Sequence, residues 1–484
     1  MKKQVKYIFI LSLGIMILPS CKKELLSPLP QTSVSDATAF DTPARIANQV
    51  NSIYQSFKSG SFFGGRAQIA GDIIGEDFIN ELTNGVTGVD VWTLNATGTS
   101  ANFIKNMWSQ AYYTINICNL FIDGMNAKGT TVVGAALGNN YIGEARLIRA
   151  ATYLNLLEHY ARPFADGNGS KPGLPLRLTG IKESGASALA RSTVAEVYTQ
   201  ILADLNFAET NLPLNYATAI LNTTRAHRNT AIAFKVRTYL AMQNYPSVIT
   251  EGTKIVPQAV APFSATTGVM HTLQANIVNV FRTPYTTTES ILSMPMTATA
   301  GDNPGTQNQL GYYYAKTTGN GEYSLNPSGI IGNAGWTATD ARRSFNAIVS
   351  SKPYLNTKYN SPSPFTDFAP VMRYPEVMLS LAEALARTNA GVNVKALSLL
   401  NAVRQRSDIT TVLAPITQAD LINAILLERR IEFLGEGLRN FDLMRLLQTI
   451  PAKGSIPSKA SSDPGYIWPI SADELSLNPL MTDN

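Results

Sequence analysis

Apolar residues return every three or four positions over most of this chain, and the runs that keep this period predict its helices. The first starts just after Phe40. Thr42 stands at a cap position, Pro43 at the first helical position, and Ile46, Val50, Ile53, Tyr54 and Phe57 form one stripe. Further amphipathic runs fall at about 101–126, 141–161, 193–211, 228–243, 370–389, 393–406, 418–435 and 437–448. Thr193 with Glu196 and Thr417 with Asp420 have the spacing of capping boxes, and Gly391 and Gly435 fall where helices end. The pattern predicts a mainly α fold. Helices that pair across short turns predict a tetratricopeptide-like scaffold, although the repeat signature itself is degraded.

Two stretches break the helical period. Residues 62–100 are rich in Gly, Asn and Thr, and residues 258–368 carry Pro, Gly and aromatics. Both read as long irregular loop insertions that the helices hold out as a ligand-binding surface. Residues 40–484 then form a single helical domain with two insertions.

The N-terminus changes where this domain is expected to work. Lys2, Lys3 and Lys6 precede an apolar run from Tyr7 to Leu18, the layout of a secretory signal, and the run is too short to cross a bilayer as a helix. It stops at Leu18-Pro19-Ser20-Cys21, which resembles the box cut by lipoprotein signal peptidase, with Pro19 departing from the usual small residue. Residues 1–20 are therefore read as a signal peptide, Cys21 as the lipidation site, and 21–39, with its Ser, Pro, Thr and Gln, as a tether off the membrane. Cys118 lies in an apolar helical stretch and reads as a small core residue, so no disulfide framework is expected.

Lys and Arg total 39 against 34 Asp and Glu; three of the lysines lie in the leader, which leaves 36 cations against 34 anions. That balance predicts no nucleic-acid partner. Charged residues make up only 15% of the chain, and a surface of amides, hydroxyls and glycine suits a neutral hydroxylated ligand.

The densest cluster of chemistry is ERRIEFLGEGLRNFDLMR at 428–445. Glu428 and Glu432 are one helical turn apart, and paired carboxylates invite a glycosidase reading. Counter-charge argues against it. Arg429, Arg430, Arg439 and Arg445 hold carboxylates ionised, whereas a general acid needs a raised pKa, so Glu428, Glu432, Arg439, Asp442 and Arg445 are read as a structural ion network joining the last helices. His159, His227 and His271 are scattered without metal-ligand spacing, and neither a Gly-x-Ser-x-Gly elbow nor a Walker loop is present. The expectation is a binding protein that is not an enzyme and carries no metal or other cofactor.

The aromatics of the insertions are the candidate ligand contacts. Trp92, Tyr312, Tyr313, Tyr323 and Trp336 lie among Asn, Thr and Gly, where helix packing is not expected to bury them. Pyranose CH faces stack on such rings while amides and guanidinium groups take the hydroxyls, for which Asn80, Asn84 and Arg66 are at hand. The plainer reading is that these rings pin long loops to the scaffold.

In the order and spacing of its motifs the chain resembles the SusD/RagB family of outer-membrane nutrient-binding lipoproteins. The likeness rests on the lipobox at Cys21, GEARLIRAATYLNLLEHYARPF at 143–164, RYPEVMLSLAEALAR at 373–387, the 428–445 block, and the ending YIWPISADELSLNPLMTDN. The resemblance implies a tetratricopeptide-type scaffold, anchored in the outer membrane through its lipid and facing the cell exterior. It also implies delivery of an oligosaccharide or polysaccharide to a SusC-like TonB-dependent outer-membrane transporter. Family binding sites vary, so no ligand residue is carried over. The alternative is a helical scaffold lipoprotein that mediates protein–protein interaction without a small ligand.

Overall fold

The computed structural model describes residues 38–183, 185 and 188–484; Cys21, the signal peptide 1–20 and the tether up to residue 37 lie outside the described residues. The first helix, Pro43–Phe57, starts where Thr42 accepts a hydrogen bond from the Arg45 N–H at 3.3 Å and Pro43 takes the first position, which needs no N–H. Its stripe of Ile46, Val50, Ile53, Tyr54 and Phe57 is buried. Both predicted capping boxes form: Thr193 and Glu196 bond reciprocally at the start of Val194–Asn211, as do Thr417 and Asp420 at the start of Gln418–Glu432.

The helices stack as antiparallel neighbours in a mainly α, tetratricopeptide-like array. Ala135–Tyr160 packs on Asn106–Gly124 and on Val194–Asn211; Arg228–Ala241 follows, against Tyr245–Ile255, and both meet Tyr374–Arg387. That helix in turn carries Val394–Ser407 and Gln418–Glu432. Buried side chains from every part of the described chain form one hydrophobic cluster.

Three elements differ from the sequence pattern. Residues 369–373, placed at the head of a helix, are instead a strand, Ala369–Arg373, and the helix begins at Tyr374 because Pro375 fits only its first turn. Tyr245–Ile255 is a further helix, capped by Asn244 with Pro246 in its first turn. Arg66–Ile73, inside the stretch read as irregular, is a helix buried on all sides, which removes the polar face that periodicity detects. Its C-terminal end is held by Lys453, whose Nζ donates to the carbonyls of Ile73, Ile74 and Gly75. Burial pulls this ammonium down to about 7, against the opposing pull of Glu76 and Asp77.

Short strands fasten the insertions to the scaffold and to each other. Phe78–Asn80 pairs antiparallel with Tyr323–Leu325, placing Asn80 opposite Tyr323. Ser290–Met294 pairs with Ala369–Arg373, and Ala347–Val349 with Lys352–Tyr354. The first of these sheets joins segments roughly 245 residues apart in the chain, and it positions the candidate site.

Candidate functional site

Two polar regions flank the insertions, and their geometries differ. At the C-terminal helices, Glu428 accepts from Arg342 (2.6 Å) and Arg404 (2.6 Å), and Glu432 accepts from Arg342 (2.8 Å), Arg373 (2.8 Å) and Arg406 (2.6 Å). Arg373 and Arg406 also share Glu289, and Arg373 with Lys358 holds Glu436. All these groups are buried or nearly so. Burial alone pushes the Glu432 carboxyl up, but Arg406, Arg373 and Arg342 outweigh it and hold it below the ordinary carboxylate range.

The arginines that neutralise Glu428 and Glu432 are thus not the ones beside them in sequence. Arg429 pairs with Asp442 (2.9 Å), Arg430 with Asp77 (2.5 Å) and Glu76 (2.9 Å), Arg439 with Glu76 (2.7 Å), and Arg445 with Glu383 (2.6 Å) and Asp442 (2.9 Å). The gap bounded by Asp72, Asp77, Arg430, Arg439 and Asp442 has a volume of about 10 Å³, room for about one water and for no sugar. Asp72, whose carboxyl burial raises, takes its hydrogen bond from the Tyr314 hydroxyl inside the core. This region matches charge within the fold.

The second region lies where the two insertions meet. The helical turn Leu310–Tyr314 sends three consecutive tyrosines in three directions. Tyr314 points inward to Asp72; Tyr313 stacks on Tyr323 with the rings 6.0 Å apart and 6° from parallel; Tyr312 stays half-exposed. The Tyr323 hydroxyl donates to the Thr87 carbonyl (2.8 Å) and so ties down the loop carrying Asn84, whose side chain caps the turn Gly85–Thr87. Asn80, opposite Tyr323 in the sheet, and Asn84 are half-exposed. Tyr312, Asn80 and Asn84 are thus the members of the candidate set that keep some surface in solvent, beside rings that are buried.

Burial corrects the expectation that the other candidates stand free. Tyr313 and Tyr323 are closed from solvent. Arg66 is 4% exposed; its guanidinium donates to the carbonyls of Asn102 and Val86 and lies over the Phe103 ring, so it anchors backbone. Trp92 is buried with its Nε1 donating to the Phe78 carbonyl at 2.8 Å. Trp336, 2% exposed, packs under the Arg343 guanidinium, beside Gly335, whose carbonyl accepts from Arg404 of the charge lattice. Both indoles are taken into the core; the Trp92 N–H has a partner there, whereas the Trp336 N–H is buried without one.

Sequence reading missed two partly exposed neighbours of Tyr312. Gln307 donates to the Tyr312 hydroxyl (3.4 Å), and the Asn320 N–H donates to the Tyr312 carbonyl (3.0 Å). Their signal was local: amides and glycines flank the tyrosine run on both sides.

The chain matches two family models: residues 273–484 match the SusD family, and residues 26–240 a SusD-like group described as starch-binding and associating with outer membrane. A SusD-like protein of Formosa agariphila is 24% identical over 538 residues, covering 100% of this chain and 99% of its own. A SusD superfamily protein from Bacteroides fragilis has the same fold, with a TM-score of 0.80 and 29% identity over 92% of this chain and 99% of that one. The surface glycan-binding protein A of Bacteroides thetaiotaomicron, solved in complex with laminarihexaose, superposes with a TM-score of 0.72 at 17% identity, over 92% of this chain and 99% of its own. The helical scaffold with its cross-stitched insertions is thus that of the SusD superfamily. The chain belongs to the SusD/RagB family.

Proposed function

We propose that this protein is a non-catalytic, lipid-anchored glycan-binding protein of the outer membrane that delivers an oligosaccharide or polysaccharide to a SusC-like TonB-dependent transporter. The observation that carries the reading is the match to a SusD-like group described as starch-binding, and the partial exposure of Tyr312, Asn80 and Asn84 in the insertions supports it. A half-exposed ring offers its face to pyranose C–H groups, and the Asn84 amide, whose oxygen accepts from the Val86 N–H, keeps its nitrogen to donate to a hydroxyl. A relative of the same fold that holds laminarihexaose supports a glucan as the first ligand to try. The commitment of Glu428 and Glu432 to buried arginines supports capture without cleavage, since both carboxylates are taken up in ion pairs within the fold.

Attachment is assigned to lipid on Cys21, from the lipobox that ends there. The test is retention of the purified protein in native gels containing laminarin, starch or xylan, with Tyr312→Ala alongside. Retention by at least one polysaccharide that Tyr312→Ala abolishes is the expected result. Retention by none, together with co-purification of other proteins along the helical array, overturns it in favour of a protein-recruiting scaffold. In cells, Cys21→Ala is expected to release the protein from the outer-membrane fraction.

A further inference from the structure

A groove with a volume of about 510 Å³ opens between the first helix, Pro43–Phe57, and Asn106–Gly124. Ile117, Leu120 and Phe121 line it at helical spacing, and Phe40 lies against Phe121 with the rings 5.9 Å apart. Ile117, Leu120 and Phe40 keep part of their surface in solvent, so this apolar lining is uncovered. Nearby polar groups are already engaged: Gln49 donates to the Ala39 carbonyl (2.6 Å), Asp123 accepts from the Gly180 N–H (2.7 Å), and Lys128 pairs with Asp41. Lys182, also at the groove, has no partner among the described residues. Such a lining suits aliphatic side chains with an anion beside them and offers little to the hydroxyls of a sugar.

The described chain begins at this groove. Arg45 donates to the Thr38 carbonyl (3.0 Å), Gln49 to that of Ala39, and Phe40 packs so closely on Gly124 that any side chain there would strike its ring. The preceding segment, 21–37, therefore sets out from the groove itself. Its sequence puts Glu24 directly ahead of Leu25 and Leu26, with Leu29 close behind. The nine residues 30–38 between Leu29 and Ala39 span about 30 Å when extended, more than the roughly 22 Å length of the first helix, so the leucines reach any part of the groove. The match to the SusD-like group also begins at residue 26, so the likeness to that group already includes part of the stretch read as a tether.

We infer that Leu25, Leu26 and Leu29 of this same chain seat in the groove, with Glu24 set to pair with Lys182. Three leucines on a free tether leave apolar surface in water, as does the groove, and one contact covers both. Docking also changes what the tether does. A free segment 21–37 lets the domain wander up to about 60 Å from its lipid, whereas a seated one leaves only the few residues between Cys21 and Leu25 and holds this face of the helical array toward the membrane. The inference is separate from the glycan-binding reading, and its test needs no ligand.

Hydrogen-exchange mass spectrometry on the full mature chain, made with Cys21→Ser so that it stays in solution without detergent, tests this. The amides of Leu25, Leu26, Ser27 and Leu29 are expected to exchange roughly tenfold or more slowly than in a synthetic peptide of residues 22–37. Two variants are each expected to restore the rate of the peptide: the combined Leu25→Ser, Leu26→Ser and Leu29→Ser chain, and Leu120→Arg, which puts a cation into the groove at a partly exposed position. Melting curves on the same samples show that each variant is folded, and the tether variant is expected to melt as the parent does. Exchange at the peptide rate in the parent chain overturns the docking, and so does slow exchange that survives in folded Leu120→Arg, because the leucines then lie elsewhere. Slow exchange that disappears on dilution assigns the groove to the tether of a second copy and overturns docking within one chain.

Discussion

The lattice around Glu432 and the surface around Tyr312 are both polar, yet they are built on opposite terms. In the lattice Glu432 meets guanidinium groups drawn from distant segments, and these groups are buried. In the insertions Tyr313 and Tyr323 form a dry stack, while Tyr312, Asn80 and Asn84 keep part of their surface in solvent. Charge density is therefore a poor guide to the binding site in this fold. Matched charge holds the last helices to the 289–373 segment, and neutral rings and amides face outward.

The largest effect that can break this contrast is expected at the lattice. Glu432→Gln removes the charge shared by three arginines and leaves this buried cluster one carboxylate short, at a cost of roughly 3–5 kcal/mol, which chemical denaturation reads directly. Glycan affinity of the surviving folded fraction is expected to be unchanged. A stable Glu432→Gln protein would show that the lattice is dispensable.

Acid sharpens the contrast next. Burial pulls His159 and His271 down to about 4 from an ordinary 6.5, and burial with the neighbouring His271 holds His227 well below 6.5, its ring stacked 5.2 Å from that of His271. As pH falls through this interval the unfolded chain takes up protons that the folded chain refuses, so stability falls with pH. Below the ordinary glutamate value of 4.5, Glu432, Glu436 and Glu383 add to the loss: burial would raise them, but their arginine partners, with Lys358 for Glu436, hold them down in the fold. Glu158, which burial pushes up to about 8, and Asp72, which burial raises, act in the opposite sense as pH falls toward the ordinary carboxylate range, so the steep decline in melting temperature is expected below about pH 4.5. A flat profile below that pH contradicts the ion pairing assigned to these glutamates.

A smaller effect is expected at the edge of the lattice. Arg439, which remains partly exposed beside Glu76, is expected to cost about 1 kcal/mol on change to alanine, since solvent screens such a pair. A loss as large as that of Glu432→Gln would mean that the lattice extends undiminished to the surface.

These two regions were unequally legible in the sequence. Local signals held: Thr42 with Pro43, and the boxes Thr193–Glu196 and Thr417–Asp420, are satisfied within a few residues and form as the spacing requires. The carboxylates of the 428–445 block were visible, but their partners were not, because Arg342 and Arg373 reach Glu432 across 90 and 59 positions and no short-range pattern encodes that. The candidate site was legible in part. Asn80, Asn84 and Tyr312 keep some surface in solvent, whereas Trp92, Trp336, Tyr313, Tyr323 and Arg66 are buried because the insertions pack into the common core through the Arg66–Ile73 helix and the Phe78–Asn80 and Tyr323–Leu325 strands. Composition marked those segments as irregular, and composition does not show which of two adjacent tyrosines faces in.

Calorimetry of the retained oligosaccharide against Tyr312→Ala and Trp92→Ala, with melting curves on the same samples, tests the division between outward and inward rings most directly. The account predicts that Tyr312→Ala weakens binding roughly tenfold or more, about 1.4 kcal/mol, with an unmoved melting temperature. It predicts that Trp92→Ala, which empties a buried site, costs about 3–5 kcal/mol of stability. Wild-type affinity in Tyr312→Ala, or a Trp92→Ala protein that melts normally and has lost its ligand, would contradict it.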